Sequence, residues 1–529
     1  MTGGEGLDRG ADEPTARLAI DIGGTFTDVA LETGGHLVAT KVLTTHAAPE
    51  RGVLDGVAKV LDMTSVAPSA VRLVIHGTTL ATNAIIERKG ARTALIVTEG
   101  HRDALEMAHE NRFEQYDISV DRPPALVPRR LRLPVRERVD RRGRVLIRLD
   151  EDTVHALLPV LDEHGVESVA VGLIHGYANP AHERRIGEIL AAERPALAVT
   201  LATGVCPEVR EYERLSTACA NAYVQPLMSR YLKGLAASLR ERGLDCPFLL
   251  MTSGGGLTTL DTAVTAPIRL VESGPAGGAI LASHLARVLD LGDVLSFDMG
   301  GTTAKLCLID GGEPLHSRTF EVARSYRFKQ GSGLPVRIPV IEMVEIGAGG
   351  GSIAGVDDME RIHVGPESAG SEPGPAAYGR GGEDPTVTDA DVVLGRIDPE
   401  LFAGGAIGLD RGRAEAAVER RVGAKLGLDA RVAALGVSEM VDENMSNAAR
   451  THAIEWGKGL RGRTVIAFGG SAPIHAARLA DKLELDRFLV PGDAGVGSAV
   501  GFLLAPISYE VVQSRYMRLS RFDPGLVRE

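Results

Sequence analysis

Short apolar runs that stop at glycine-rich turns recur along the chain. Leu18–Ile20 is apolar, Asp21 closes it, and Gly23 and Gly24 follow before apolar positions resume towards Leu31. Strand-like residues on both sides of a Gly-Gly turn predict a β-hairpin, with a third strand around Leu37–Lys41. Gly52–Met63 repeats its apolar residues at helical spacing and predicts an amphipathic helix. Leu73–Ile75, Thr93–Val97 and Ser168–Ile174 read as buried strands, Ala84–Lys89 as helical, and Glu99–Asp121 as a polar, irregular insertion. Thr200–Thr203 closes the first half. Glu211–Leu239 then predicts a long helix, 248–251, 294–298 and 305–309 strands, and 412–426 and 432–456 further helices. Thr464–Phe468 is another apolar strand, and Pro473–Leu483 has helical spacing with Pro near its first turn. Strand and helix alternate in both halves, which predicts two α/β domains around a cleft.

Two of the turns carry nearly the same phrase. Residues 18–28 read LAIDIGGTFTD, and residues 295–305 read LSFDMGGTTAK. Glycines without side chains let backbone N–H groups approach phosphate oxygens closely. Gly23 and Gly24 with Thr25 and Thr27 form one such set; Gly300 and Gly301 with Thr302 and Thr303 form the other. Asp21 and Asp298 repel phosphate but suit the Mg²⁺ that phosphate brings, through water. A single copy reads equally as an ordinary hairpin turn. Two copies at matching strand ends point to facing phosphate loops and hence to ATP. Gly469-Gly470-Ser471, between strand and helix, is a third turn suited to the adenosine or ribose. SGGG (253–256) and GAGGGS (347–352) are further glycine loops. The latter resembles a dinucleotide fingerprint, but it ends in Ser352 and lacks a strand–helix frame, which disfavours NAD.

Composition narrows the classes. Glycine is abundant (63 of 529 residues) and aromatics are scarce (4%), which fits tight turns and an aliphatic core. A net charge of −12 disfavours nucleic acid as a partner. Four dispersed cysteines argue for a reducing, cytoplasmic setting and against a thiolate zinc site. Residues 1–16 are polar and Gly-rich, a disordered leader rather than a signal peptide. No apolar run approaches the ~18 residues that span a bilayer, so no membrane partner is expected. Arg129–Leu149 looks basic enough for nucleic acid, yet apolar and charged residues alternate around an Asp140–Gly143 turn, which favours a solvated β-ribbon. Gly365–Asp384 reads as an ordered surface loop, with disorder as the alternative.

The motifs together resemble a known family. DIGGTFTDVALE, HGTTLATNAIIERKG, EYERLSTACANAYV, TSGGG, ESGPAGGA, DMGGTTAK, IGAGGGSIA, VGPESAGSEPGPAAYGRGG, PTVTDAD and AFGGSAPIHA, spread from Arg17 to Ala505, are similar to the hydantoinase/oxoprolinase family. The closer likeness is to its hydantoinase A-type subunit, the ATP-binding partner of a hydantoinase B-type subunit. The resemblance implies duplicated actin/sugar-kinase/Hsp70-like (ribonuclease H-like) domains around a nucleotide cleft, with an N-terminal domain at 17–205 and an ATPase domain at 206–505. It implies ATP and Mg²⁺ as cofactors, a hetero-oligomer, and ATP-driven activation of a cyclic amide (hydantoin, oxoproline or lactam) or of a ketone for carboxylation. Asp21 and Asp298 would position Mg²⁺. Gly349, Gly350, Gly469, Gly470 and Ser471 would join the two turns around the nucleotide. Lys305 stands where many relatives repeat the acid that Asp28 supplies in the first turn, which gives the second loop a cationic role. Relatives of this type continue for roughly another small domain, so 506–529 is expected to begin a C-terminal module that is missing or separate.

Several residues keep two readings. His76 faces the γ-phosphate or substrate, or is a capping or core histidine. Glu211 and Arg214 face substrate, or form an i,i+3 ion pair. His101 and His109 with Glu106 and Glu110 form a loose metal set, or a surface helix. Asp389 and Asp391 reach the cleft, or serve a helix N-terminus. Three functions remain open: the ATPase subunit of an amidohydrolase or carboxylase, a stand-alone small-molecule kinase, and a nucleotide-switch reactivating factor of the same fold.

Overall fold

The computed structural model describes residues 15–45, 48–324, 331–405 and 407–528. The expected leader lies outside the described residues, save that Thr15 is described and Ala16 already belongs to the first strand. The predicted hairpin is formed by Ala16–Ile22 and Phe26–Thr33, with His36–Leu43 as the third strand. Val71–Thr78 then pairs in parallel with Ala16–Ile22. The second half repeats the plan. Val294–Met299 and Ala304–Asp310 form an antiparallel hairpin, and Thr464–Phe468 pairs in parallel with the first of them. Each sheet runs outward from its hairpin to further parallel strands, Phe248–Met251 in one and Arg487–Leu489 in the other. This is the duplicated ribonuclease H-like order of the actin, sugar-kinase and Hsp70 fold.

Two features depart from the linear reading. The first sheet takes Phe248–Met251 and Leu257–Thr259 from beyond residue 205. Within the first half, a separate four-stranded parallel sheet is inserted, ordered Ala198–Leu201, Ser168–Gly172, Thr93–Thr98, Arg132–Val135. Arg132–Val135 therefore is not ribbon: Leu131, Leu133 and Val135 are buried in this sheet's core. The ribbon shrinks to Arg138–Val139 against Val145–Ile147.

The lobes share a core. Ala19, Ile75 and Ala30 of the first sheet pack in one cluster with Val294, Ile309 and Ile466 of the second. Two helices, Ser273–Val288 and Gly497–Leu504, run through that cluster. They meet backbone to backbone, since a β-carbon on Gly501 would lie 1.9 Å from the Gly277 carbonyl oxygen. Phe502 fills the space that side chains at Gly77 and Gly277 would need. Gly365–Asp384 is ordered: Ile362–Ser368 pairs with Ser352–Val356, and Ala376 and Ala377 are buried. Among the described residues, no helix is long and apolar enough to cross a membrane.

Candidate nucleotide cleft

The two repeated phrases fold into the same turn. Gly23 N–H donates to the Phe26 carbonyl at 2.9 Å, and Gly300 N–H donates to the Thr303 carbonyl at 3.1 Å. The turns approach each other tip to tip: a β-carbon on Gly301 would sit 2.8 Å from Thr25 Oγ1. Between them opens a cleft of about 510 Å³. Asp21, Gly23, Gly24 and Thr25 line one wall, and Asp298, Gly300, Gly301, Thr302, Thr303 and Lys305 the other. The third turn closes on the second. Gly469 adopts φ 95°, where a β-carbon would meet Asp298 Oδ1 at 2.5 Å, and Ser471 N–H donates to the Met299 carbonyl at 2.9 Å. Gly469, Gly470 and Ser471 all reach the cleft. The loop GAGGGS lies behind the second turn: Gly350 N–H donates to the Gly300 carbonyl (3.0 Å) and Gly351 N–H to the Gly301 carbonyl (2.7 Å). Gly350 lines the cleft. Gly349 instead supports the turn, because a β-carbon there would meet the Thr302 carbonyl carbon at 2.6 Å.

Strand register sets the charges. Asp21 faces Asp28 across the first hairpin, and Asp28 faces Lys41 on the next strand. In the second lobe Asp298 faces Lys305, and Lys305 faces Glu345. The two ladders thus read acid–acid–base and acid–base–acid. Lys41 pairs with Asp28, and Lys305 Nζ lies 2.5 Å from Glu272 Oε2 and 3.4 Å from Glu345 Oε1. Burial pushes Asp21 up to about 8, with the Asp28 and Asp298 charges adding to it. Burial likewise raises Asp298 to about 6, against the pull of Lys305. Burial opposes the Lys305 charge, but Glu272 and Glu345 outweigh it and hold the ammonium above the usual lysine range.

The residues fit Mg²⁺. Asp21 Oδ1 is buried and has no hydrogen-bond partner, an arrangement a hydrated dication would satisfy. Mg²⁺ typically uses one or two carboxylates plus phosphates and water rather than an all-protein cage. That fits a site with two aspartates. Among the described residues, no group of three or more His, Cys, Asp or Glu is arranged to hold a metal ion.

Besides Gly349, two expected site residues stand outside the cleft. Thr27 is fully buried, with Oγ1 3.0 Å from Thr44 Oγ1, which in turn donates to the Gly23 carbonyl (3.0 Å). It braces the turn, because its side chain points to the core side of the strand. His76 is also fully buried: Nδ1 lies 3.2 Å from the Ile20 carbonyl, Nε2 3.0 Å from the Tyr231 hydroxyl, and the ring stacks on Phe248. Burial lowers it to about 4, so it is a neutral core histidine. The loose metal set disperses: His101 meets Arg138, His109 meets Glu213, and Glu106 meets Arg132. Glu211 and Arg214 do pair (2.9 Å), and Arg214 is completed by Glu183 at 2.8 Å. Asp389 forms a capping box with Thr386, and Asp391 is buried beside His475 (3.3 Å).

Sequence reasoning missed Lys41, Glu272, Glu345 and Arg396. Lys41, Lys305 and Arg396 line the cleft, while Glu272 and Glu345 hold Lys305. For Lys41 the signal was present, since a continued hairpin register brings it beside Asp28. Glu345 and Arg396 had none, because they come from distant segments.

Comparison with known proteins agrees with the fold. A family model described as hydantoinase/oxoprolinase matches residues 214–511, and one for the hydantoinase/oxoprolinase N-terminal region matches 17–194. The alpha subunit of caprolactamase from Pseudomonas jessenii is 35% identical over 514 residues, covering 95% of this chain and 72% of the relative. The crystal structure of that ATP-dependent caprolactamase superposes with a TM-score of 0.79 at 34% identity, covering 93% of this chain and 71% of the other. The gamma subunit of acetophenone carboxylase from Aromatoleum aromaticum is 33% identical over 527 residues, covering 96% and 70%. A nucleotide-free acetone carboxylase superposes with a TM-score of 0.81 at 28% identity, covering 93% and 70%. A chain with this duplicated fold, these facing glycine turns and these matches belongs to the hydantoinase/oxoprolinase family.

Proposed function

We propose that this chain is the ATP-binding subunit of a two-subunit enzyme that opens a cyclic amide by phosphorylating its carbonyl oxygen. The observation that carries the reading is the pair of facing Asp-x-Gly-Gly-Thr turns with the orphaned Asp21 oxygen between the lobes. An unstrained lactam, hydantoin or oxoproline resists water because its nitrogen leaves poorly. Attack of the carbonyl oxygen on the γ-phosphorus forms an O–P bond, breaks the bond to the β-phosphate oxygen and releases ADP. Water can then add to the activated carbon, the nitrogen departs, and a second water frees phosphate. Transfer of this kind needs positioning and charge neutralisation more than covalent help. The glycine turns would seat the phosphates through backbone N–H groups, and Asp21 and Asp298 would hold Mg²⁺. Bound there, Mg²⁺ would neutralise phosphate charge.

Among the described residues, no recognisable nucleophile–base constellation serves the hydrolytic half. A partner of the hydantoinase B type would supply it, in keeping with relatives named as alpha and gamma subunits. The likeness to acetophenone and acetone carboxylases supports a second reading, in which an enolate or bicarbonate oxygen accepts the phosphoryl group. A substrate panel scored by ADP release, with and without the partner, tests both. The amidase reading expects ADP release stimulated by a cyclic amide, with ring opening only when the partner is present. Stimulation by a ketone with bicarbonate favours the carboxylase. Efficient ring opening by this chain alone, or a stable phosphorylated product, overturns the subunit reading.

A further inference from the structure

Glu272 immediately precedes helix Ser273–Val288, whose Gly274 and Pro275 line the cleft. Its backbone lies at φ 61° and ψ 26°, the left-handed region that side chains with a β-carbon avoid. The residue is only 7% exposed. A buried carboxylate on strained backbone is doubly unfavourable unless it serves something. Its partner is Lys305, at 2.5 Å.

The anchoring of Glu272 comes from the first lobe. Its N–H donates to Thr82 Oγ1 (3.4 Å), and the next residue, Ser273, exchanges hydrogen bonds with the Thr78 backbone (3.0 and 3.3 Å). Lys305 belongs to the second lobe, on the strand beside Asp298. The pair therefore ties the lobes together at the wall of the cleft. The equivalent wall of the first lobe differs. There, Asp28 faces Asp21, and Lys41 stands one strand further out, paired with Asp28 and lying over the Phe26 ring. One wall sets two carboxylates side by side, with Lys41 beyond them; the other sets an ammonium beside its aspartate, held by Glu272 and Glu345.

We infer that Glu272 is a positioning residue for Lys305, fixing its ammonium at the cleft wall so that it meets the phosphoryl group during transfer. The inference rests on the ATP-dependent reading above. The ammonium would donate to a phosphoryl oxygen, where it stabilises charge more in the transfer state than in the bound nucleotide. Glu272 itself lies behind the wall and would touch neither ATP nor acceptor.

The experiment is a double-mutant cycle read in steady-state ATP hydrolysis and in Mg·ATP titration. Glu272→Gln should leave the Kd for Mg·ATP within about twofold and lower kcat by ~10-fold or more, a loss confined to the transfer state. Lys305→Met should lower kcat further, by ~100-fold. The double variant should be no slower than Lys305→Met, because a residue acting only through Lys305 has nothing left to position. Glu272→Gly, which relieves the left-handed backbone, should fold and lose the same kcat, which guards against misfolding of the Gln variant. Multiplying effects in the double variant, or weakened Kd with kcat intact, overturn the inference. Wild-type protein that binds and hydrolyses ATP no better than Glu272→Gln sinks the inference alone. Wild-type protein that neither binds nor hydrolyses ATP removes the nucleotide reading, and the inference with it.

Discussion

Asp21 and Asp298 occupy equivalent places in the two lobes but keep different company, and their chemistry should differ. Asp298 sits across from an ammonium, Asp21 across from a second carboxylate. Asp298→Ala should keep the melting temperature near wild type yet lower ATP turnover at least ~100-fold, the scale of losing one electrostatic contact in transfer; ADP release and a thermal melt check both halves. Asp21 predicts a pH effect. Its folded value near 8 lies above its unfolded carboxylate value, so the folded, empty cleft holds a proton at neutral pH that the unfolded chain does not. Stability from this group is therefore lost as pH rises from the carboxylate range towards 8. A bound cation reverses the preference, so Mg·nucleotide binding near pH 7 should release protons, and affinity should climb with pH up to about 8. Calorimetry in buffers of different ionisation heat measures the release, and Asp21→Asn should remove most of it, leaving the smaller share of Asp298, which lies near 6. At this scale the sequence was readable wherever a residue type is demanded by backbone approach, as at Gly23 and Gly469. It was not readable for His76. A strand-end histidine looks alike whether it turns to the cleft or to Tyr231, and only the packing of helix Glu211–Glu241 decides.

Helix Ala472–Lys482 shows how an element is locked to its surroundings. His475 on it is fully buried, with Nδ1 2.8 Å from Asp442 and Nε2 3.3 Å from Asp391, and Asp391 also reaches the cleft residue Arg396 at 3.4 Å. Burial works against the imidazolium, but the Asp391 and Asp442 carboxylates beside it outweigh that and lift His475 to about 9. A histidine raised above its unfolded value stabilises fully below that value and loses the contribution as pH rises through 9. The melting temperature should therefore fall between about pH 7 and pH 9.5, and His475→Gln should flatten that slope; thermal melts across the range decide it. Most elements were legible from periodicity, including Glu211–Glu241 and Ala430–Glu455, because long helices and buried strands carry strong local patterns. Arg132–Val135 was misassigned to a ribbon. Its alternation suits a half-buried strand anywhere, and only the distant partner Thr93–Thr98 fixes where it pairs.

At the scale of the whole molecule, the duplication was legible because each half repeats its own local phrase. The inserted parallel sheet and the core shared by the lobes were not, since both are built from contacts far apart in sequence. After Ala505, SYEVVQSRYMRLSRF alternates apolar and polar residues like a strand, which needs a neighbour to pair with. It finds one in part: Leu257 N–H donates to the Pro506 carbonyl (2.8 Å), Ser508 N–H to the Leu257 carbonyl (3.1 Å), and Glu510 meets Arg269 (3.6 Å). Tyr509, Val511 and Leu519 remain at least nine-tenths exposed. Deleting Pro506–Glu529 should leave Mg·ATP affinity roughly unchanged but weaken assembly with a hydantoinase B-type partner. Nucleotide titration and size-exclusion of the mixture check this, and lost ATP binding with assembly intact would reverse the assignment. The place where Gly501 meets Gly277 has a mechanical consequence. No side chain stands between the two helices there, so that point has no rotamer to rearrange. Gly274 and Pro275 of one helix and Gly497 and Ser498 of the other line the cleft beside the glycine turns. In the reading proposed above, the glycine contact would serve as the pin on which the lobes roll when a nucleotide binds, so that the cleft changes width while the shared core stays closed.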